Sequence, residues 1–404
     1  MSDYLARTLE TVVAQTARQF PAVVVTGPRQ AGKTTLLRHV LGSSVPLVSL
    51  DDPDVRQAAM SDPRGFLAAY PPPVVLDEVQ RAPELLPYVK NAIDENRSEP
   101  GRYFLSGSQN LLLMEQITES LAGRAAILTL MPLSQREIDR QPAATFPWES
   151  GGHDAGPTSA TEWFERLMRG SFPDPALGRT DTRLWMSSFV ATYLERDVRM
   201  LRNVGDLADF DAFLRLVAAR TGTTLDLTDL ARTVGVAVNT AKTWMSVLVA
   251  SYVVLLLPPY HANVGKRLAK RPKAYLTDVG LACYLTGLRD PEAAIAGPLG
   301  GALFETAVVS EVHRSLLHRG LPAELYYWGV SGRAEVDLLV RHDGKLVPLE
   351  VKLNATPVPR HGDAVRALLT TLPRDVITPG YVVTPGSSTL PLGENVKALP
   401  FARL

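Results

Sequence analysis

The sequence predicts a multidomain α/β protein. In the first third of the chain, apolar runs of strand length alternate with helical segments, and this alternation is typical of a parallel sheet covered on both faces by helices. Short helices and a glycine turn follow in the middle, and strands with alternating apolar residues return near the carboxyl end. With 404 residues, 46% of them apolar, the chain has enough apolar side chains for several packed cores.

The composition excludes several classes of protein. Lys plus Arg and Asp plus Glu both number 42, so overall charge does not indicate a nucleic-acid partner and any basic surface must be local. A single cysteine, Cys283, excludes a disulfide framework and a cysteine-based zinc site. We expect a soluble, cytoplasmic protein, because no signal peptide is visible and the longest apolar run, residues 252–259, is too short to span a bilayer.

Residues 27–34 read GPRQAGKT and fit the pattern G-x-x-x-x-G-K-T. They follow an apolar strand and open a helix, and in that context the pattern indicates a phosphate-binding loop. The backbone N–H groups of such a loop and the positive end of its helix bind phosphate. We expect Lys33 to reach the outer phosphates and the Thr34 hydroxyl to bind Mg²⁺. The residues predicted to contact the nucleotide are Gly27, Pro28, Arg29, Gln30, Ala31, Gly32, Lys33, Thr34 and Thr35.

Carboxylates and hydroxyls follow two of the predicted strands. One strand ends in Asp77 and Glu78, and the next ends in Ser106. Asp77 is suited to support the magnesium ion, and Glu78 to orient and deprotonate the attacking water. Ser106, with Ser108 as the alternative, is placed to contact the γ-phosphate or that water. These strand ends predict hydrolysis of a nucleoside triphosphate as well as its binding.

Four segments together carry a resemblance to a known family: GPRQAGKTTL at 27–36, LDEVQ at 76–80, LSGSQ at 105–109 and SLAGR at 120–124. They resemble the prokaryotic AAA-type ATPases that carry a C-terminal DUF4143 region, and the resemblance covers nearly the whole chain. It implies a P-loop ATPase core of the additional-strand type that uses ATP and Mg²⁺. It also makes Arg124 a candidate charge-stabilising arginine, in cis or in trans, with a structural pairing to a carboxylate as the alternative.

A winged helix-turn-helix is predicted for residues 208–262, where two helices, a glycine turn, a third helix and an apolar strand follow one another. Its use in protein contact or domain packing is the alternative to DNA binding. As a DNA reader, the third helix would present to the major groove the side chains of Asn239, Thr240, Lys242 and Thr243.

A local basic cluster follows this unit. Five cations in eight positions could neutralise several phosphates and give salt-dependent binding, and a solubilising hairpin is the alternative. The cluster contains Lys266, Arg267, Lys270, Arg271 and Lys273.

The carboxyl-terminal region reads helix, three strands, helix, strand from Leu303 onwards. Asp343-Gly344 between two alternating strands is a strong hairpin signal. Asp337 and Glu350 can then lie side by side on neighbouring strands. Lys352 shares a face with Glu350 because the side chains of a strand repeat every two residues.

An Asp followed on the neighbouring strand by Glu-x-Lys resembles the PD-(D/E)XK nuclease superfamily. The resemblance implies a restriction-endonuclease-like domain in which Asp337 and Glu350 bind Mg²⁺ and Lys352 acts on the attacking water. Glu305, on the preceding helix, matches an additional acidic position, whereas Val336 stands where the superfamily often has proline. Active cleavage and a retained regulatory or binding role both stay open, and for each residue alone a surface ion pair is the alternative.

These features divide the chain into five segments. They are an AAA-type ATPase domain at 1–139, a flexible linker at 140–160, a helical connection at 161–207, the winged helix-turn-helix at 208–262 and the nuclease-like DUF4143 domain at 263–404.

The function that follows from these segments is a magnesium-dependent ATPase that binds DNA and couples ATP hydrolysis to DNA remodelling or processing, with nuclease activity left open. The alternative is a nucleotide-gated switch or scaffold that binds protein partners without cleavage. A homo-oligomer, including a ring, is compatible with the sequence, and no membrane partner is expected.

Overall fold

The computed structural model describes residues 4–108, 120–149, 159–193, 207–261, 271–330 and 334–404. Two compact units are present. The first contains the chain up to Leu133 together with Ala250–Tyr252 and Arg314–Pro322, and the second contains Ser134–Val249, Val253–His313 and Ala323–Leu404. Among the helices within the described ranges, none is both long and apolar enough to cross a bilayer.

A five-stranded parallel sheet forms the centre of the first unit, in the order β2-β3-β4-β1-β5. Its strands are β1 Ala22–Thr26, β2 Leu47–Ser49, β3 Val74–Asp77, β4 Tyr103–Ser106 and β5 Ala125–Thr129. Strand β4 lies between β1 and β3 and is parallel to both. The predicted parallel-sheet core is therefore confirmed, and the carboxyl ends of β1, β3 and β4 lie at one edge of the sheet.

Both faces of this sheet are covered by apolar side chains from the flanking helices. The helices of this region are α1 Leu9–Thr16, α2 Lys33–Leu41, α3 Pro53–Ser61, α4 Pro63–Ala69 and α5 Leu86–Glu95. In β1, Val24 belongs to one buried cluster, whereas Val23 and Val25 belong to a second cluster that includes Leu36 of α2. Burial on both faces explains why the strands read as unbroken apolar runs in the sequence.

The middle of the chain is mainly helical and carries a small antiparallel sheet in the order β6-β8-β7. The helices are α6 Gln135–Ile138, α7 Ala160–Met168, α8 Pro173–Ala176, α9 Thr182–Tyr193, α10 Leu207–Ala219, α11 Leu227–Val234, α12 Val238–Ala250, α13 Val279–Thr286 and α14 Pro291–Ala296. The strands are β6 Thr223–Thr224, β7 Val254–Leu257 and β8 Lys273–Leu276. Gly235 ends α11 in the left-handed conformation, with φ of 90°, so the order of helices, glycine turn and strand agrees with the sequence pattern.

A mixed five-stranded sheet lies in the carboxyl-terminal part of the second unit, in the order β13-β12-β11-β10-β9. Its strands are β9 Leu325–Val330, β10 Ala334–His342, β11 Lys345–Val351, β12 Gly380–Thr384 and β13 Val396–Pro400, and the helices of this region are α15 Gly300–His318 and α16 Asp363–Thr371. Strands β9, β10 and β11 are antiparallel, whereas β11, β12 and β13 are parallel. The hairpin turn at Asp343-Gly344 has φ values of 47° and 77°, which is the left-handed geometry expected for this dipeptide.

Candidate functional site: the edge of the parallel sheet and an acidic cluster

The phosphate loop depends on glycine at both of its fixed positions. Gly27 has φ of +139°, and a Cβ there would lie 2.0 Å from the carbonyl oxygen of Leu130. Gly32 has φ of 95° and is the N-cap of α2. Side-chain-bearing residues rarely adopt these conformations, so the loop conformation and the start of the helix both require the glycines of the motif.

The first two residues of α2 make the contacts that anchor the loop. Lys33 is buried, and its Nζ donates hydrogen bonds to the carbonyl oxygens of Gly27 at 3.1 Å and Pro28 at 2.9 Å. The Thr34 hydroxyl donates to Asp77, at 2.9 Å from Oδ1 and 3.1 Å from Oδ2. The loop and the end of β3 are thus joined directly through Thr34 and Asp77.

The pair of Thr34 and Asp77 fits a magnesium ion by the chemistry of its donors. A hydroxyl and a carboxylate supply the hard oxygen atoms that Mg²⁺ prefers, and Mg²⁺ commonly uses one or two protein carboxylates together with substrate phosphates and waters. The two side chains lie within hydrogen-bond distance of each other, so one ion could be bound by both. These residues are accordingly the ones that would hold the metal.

Glu78 follows Asp77 in a left-handed backbone conformation, with φ of 56°. This turn directs the Glu78 carboxylate away from that of Asp77. Glu78 accepts hydrogen bonds from Gln80 and from the Ser108 hydroxyl, the latter at 3.3 Å. Gln80 also donates to the Ser108 hydroxyl at 3.0 Å. Neither Gln80 nor its role was predicted, although it belongs to the same LDEVQ segment as the two carboxylates.

Ser106 and Ser108 have different partners at this edge. Ser106 is fully buried and donates to Asp77, so the expected contact of its hydroxyl with the γ-phosphate or the water is not supported by this arrangement. Ser108 instead contacts the carboxylate of Glu78. The alternative residue of the sequence analysis is therefore the better candidate for a contact beside the base.

Arg7 is a further residue of this region that the sequence analysis missed. It is 5% exposed, and its two terminal guanidinium nitrogens donate to the carbonyl oxygens of Ala31 at 2.8 Å and Met131 at 2.7 Å. It therefore joins the phosphate loop to the segment that follows β5. A single arginine ahead of the first helix carries no sequence signal for such a contact.

A second group of candidate functional side chains lies on β10 and β11. Leu338 and Leu349 are paired across the two strands, so Asp337 and Glu350 are the next neighbours, as expected. The Val351 N–H donates to Asp337 at 2.8 Å, and Lys352 Nζ lies 2.6 Å from Glu350 Oε1. The predicted shared face of Glu350 and Lys352 is thus present as a direct ion pair.

Lys273 enters the same group from β8. Its Nζ lies 3.1 Å from Glu305, 2.5 Å from Glu335 and 3.8 Å from Asp337, and its side chain is only 7% exposed. Burial disfavours the charged form, but Glu305, Asp337 and Glu335 outweigh it and raise the pKa of Lys273 above its ordinary value. The expectation of Lys273 as a surface cation for nucleic acid is wrong, because a buried, paired ammonium cannot meet phosphates from solvent.

Comparison with known proteins gives the family. Residues 19–139 match the model of an AAA domain, and residues 300–404 match a domain of unknown function, DUF4143. Over 381 residues the chain is 32% identical to an uncharacterized protein of Mycobacterium tuberculosis and to one of Mycobacterium bovis, covering 94% of this chain and 80% of each relative. This chain belongs to the AAA-domain family with a C-terminal DUF4143 domain.

Two further similarities are found for this AAA-domain protein. Residues 160–292, between the AAA and DUF4143 matches, correspond to another domain of unknown function, DUF8612. Among solved structures, a Walker-type ATPase of Pyrococcus abyssi is 16% identical, with a TM-score of 0.43 over 70% of this chain and 96% of that chain. The AAA match contains the phosphate loop, Asp77 and Glu78.

Arg124 of the AAA domain lies far from its own phosphate loop. It directly precedes β5, whose Ala125 pairs with Ala22 at the start of β1, while Thr129 pairs with Thr26 beside the loop. Four residues of strand separate the two ends by about 13 Å. This geometry contradicts the cis alternative and leaves the trans and structural alternatives.

The guanidinium of Arg124 has a partner within the AAA domain. Nε lies 2.7 Å from Asp94 Oδ1, one terminal nitrogen lies 2.9 Å from Oδ2, and the other donates to the carbonyl oxygen of Ala122 at 3.1 Å. The hydrogen bond from Arg124 lowers the pKa of Asp94. The pairing with a carboxylate that the sequence analysis named as the alternative is therefore present.

The residues predicted to face DNA differ in their exposure. On α12, Asn239, Lys242 and Thr243 are exposed and Thr240 is half-buried. Arg271 is exposed and lies 2.5 Å from Asp226. Lys266, Arg267 and Lys270 lie outside the described residues. Contact of these side chains with nucleic acid stays a prediction.

Proposed function

We propose that this protein is a magnesium-dependent ATPase that binds DNA and couples ATP hydrolysis to the remodelling or processing of that DNA. The observation that carries the proposal is the hydrogen-bonded pair of Thr34 and Asp77 between the phosphate loop and the end of β3, with Glu78 next in the chain. It joins the parts that phosphoryl transfer needs: a phosphate cradle, a metal-binding pair and a candidate base. ATP turnover by the purified protein, compared with the Glu78→Gln variant, tests the ATPase part.

Each side chain at this edge of the sheet would have a separate role in ATP hydrolysis. Thr34 and Asp77 would hold the magnesium ion, which neutralises charge on the phosphate oxygens when bound. Lys33 would exchange the carbonyl oxygens of Gly27 and Pro28 for phosphate oxygens. Glu78 would accept the proton of the attacking water, and Gln80 and Ser108 would orient its carboxylate.

In trans, Arg124 would stabilise charge at the site of a neighbouring copy, and this role can be separated from its ion pair. We expect Arg124→Ala to lower ATP turnover at least about tenfold, because an arginine supplied in trans stabilises the transition-state charge. Asp94→Ala, which removes the partner and keeps the guanidinium, serves as the matched control and is expected to leave turnover within about twofold. Steady-state turnover of both variants is the measurement.

The oligomeric state decides between the two remaining roles of Arg124. Light scattering with and without a non-hydrolysable ATP analogue is expected to show an oligomer in the presence of the analogue. A monomer under both conditions, or equal small losses of turnover in Arg124→Ala and Asp94→Ala, would leave only the structural ion pair.

DNA binding is proposed to use the exposed face of α12. We expect Lys242→Ala to weaken binding to duplex DNA several-fold and to reduce the slope of log K against log salt by about 0.9, the value for one phosphate contact. Lys397→Ala is the matched control, because Lys397 is also an exposed lysine but lies on β13. Fluorescence anisotropy at several salt concentrations gives both quantities, and equal slopes for the two variants would contradict the assignment.

The second candidate function is a nucleotide-gated switch or scaffold without cleavage activity. The observation that favours it is Lys273, whose buried ammonium lies among the carboxylates that a nuclease would use for metal. In this alternative, ATP binding and hydrolysis still occur at the phosphate loop. Cleavage assays with Mg²⁺ or Mn²⁺ on single-stranded, duplex and branched DNA separate the two functions.

A further inference from the structure

The acidic cluster of the second unit consists of Glu305, Glu335, Asp337 and Glu350. Two lysines belong to the same group of contacts, Lys273 and Lys352. Glu335 is half exposed, whereas Asp337 and Glu350 are buried. Buried carboxylates are stable only when they are protonated or paired with a cation, so each buried member of this cluster requires one or the other.

Lys273 meets that requirement from inside the protein. It lies on β8, paired between β6 and β7, and its ammonium is within 4 Å of three of the four carboxylates. The ring of Tyr327 lies 5.6 Å from the same ammonium, which adds a cation–π contact. Its side chain is 7% exposed, so this cation is part of the packed interior.

Three of the carboxylates each have one oxygen atom that accepts hydrogen bonds from protein donors. Glu305 Oε1 accepts from Lys273 at 3.1 Å and from the Tyr275 hydroxyl at 2.5 Å. Asp337 Oδ2 accepts from the Val351 N–H, and Glu350 Oε1 accepts from Lys352. Within the part of the chain that the structure describes, no group of three or more acidic, histidine or cysteine side chains is arranged to hold a metal ion.

One carboxylate oxygen differs from the others. Glu350 is 5% exposed, and its Oε2 is buried without a hydrogen-bond partner. The ammonium beside Glu350 belongs to Lys352, which bonds to Oε1, whereas Lys273 is paired with the other three carboxylates. The residues therefore match the nuclease superfamily in type and position, but in this arrangement they do not fit a bound Mg²⁺.

We propose that the Lys273 ammonium is the resident cation of the acidic cluster and takes the place of a divalent metal ion there. The cluster is then a structural charge network of the DUF4143 region, and it binds a divalent ion only when Lys273 is removed. This proposal does not depend on ATP hydrolysis or on DNA binding, because it concerns only the charges around β8, β10 and β11.

The test is a calorimetric titration of the full-length, nucleotide-free protein with Mn²⁺. Each protein is measured with and without Asp337→Asn, so that the difference isolates the cluster from metal bound at the phosphate loop. For the wild type, we expect Asp337→Asn to change nothing. Lys273→Met keeps about the length of the side chain and removes its charge. For this variant we expect one additional Mn²⁺ site, with an affinity at least about tenfold higher than that of any binding to the wild-type cluster. This site should be lost in Lys273→Met/Asp337→Asn.

Two controls make the outcome decisive. Lys397→Met removes an exposed lysine from β13, in the sheet that carries Asp337 and Glu350, and is expected to behave as the wild type. In thermal unfolding, Mn²⁺ should raise the midpoint of Lys273→Met by several degrees more than it raises that of the wild type or of Lys273→Met/Asp337→Asn. A wild-type Mn²⁺ site that Asp337→Asn abolishes would overturn the proposal even if Lys273→Met does not fold, and so would a folded Lys273→Met that gains no site.

Discussion

Replacing Lys33 with alanine is expected to abolish ATP binding and, with it, hydrolysis. The Lys33 side chain is the cation at the start of α2, and the other cation of residues 27–34 is Arg29. Two charge-assisted hydrogen bonds to phosphate contribute together about 3 kcal/mol or more, which corresponds to a loss of affinity of about a hundredfold. Anisotropy of a fluorescent ATP analogue measures the affinity, and phosphate release measures turnover.

The contacts of Lys33 with the loop call for a control variant nearby. Its Nζ bonds to the carbonyl oxygens of Gly27 and Pro28, so alanine could act by loosening the loop as well as by removing the charge. Arg38→Ala removes an exposed cation from the same helix and should leave binding unchanged. Nucleotide affinity within twofold of wild type in Lys33→Ala would contradict the assignment of residues 27–34 as the phosphate loop.

The parallel sheet could be predicted because its signals are local. Each strand is buried on both faces, so its sequence is an unbroken apolar run such as Ala22–Thr26, and the order of strand, glycine loop and helix is read directly. Strand β13, Val396–Pro400, was not predicted. It is short, contains an exposed lysine and ends in proline, and it forms a strand by pairing with β12.

The partners at the site were harder to predict than its position. Asp77 and Glu78 follow a strand at the expected offset, but their different environments depend on the left-handed backbone of Glu78. With that turn, Asp77 accepts hydrogen bonds from Thr34 and Ser106, whereas Glu78 accepts them from Gln80 and Ser108. A sequence pattern places the residues on one edge of the sheet but does not specify which hydroxyl each carboxylate receives.

Lys273 shows why composition alone misassigned a residue. It ends a run of cations, which is usually a solvated surface, and its carboxylate partners lie 32 to 64 residues away in the sequence. The pairing of β8 with β7 places the Lys273 side chain in the interior. Lysine is tolerated there because three carboxylates compensate the cost of burying its charge.

Glu78→Gln is expected to stop ATP turnover while preserving ATP binding. The amide has the shape of the carboxylate and can still accept from Gln80 and Ser108, but it cannot take a proton from water. Loss of a general base lowers the rate of the chemical step about 10²- to 10⁴-fold. Single-turnover hydrolysis, with nucleotide affinity measured in parallel, separates the chemical step from binding.

The contrast with a neighbouring glutamate makes this result specific. Glu84 is exposed and lies six residues further along the chain, so Glu84→Gln carries the same chemical change outside the site and should turn over ATP at the wild-type rate. Unchanged turnover in Glu78→Gln would remove Glu78 as the base. Glu78 contacts Gln80 and Ser108, whereas Thr34 contacts Asp77, so nucleotide affinity is expected to stay unchanged. A fall in affinity together with turnover would mean that the Glu78 carboxylate supports nucleotide binding and does not act on water alone.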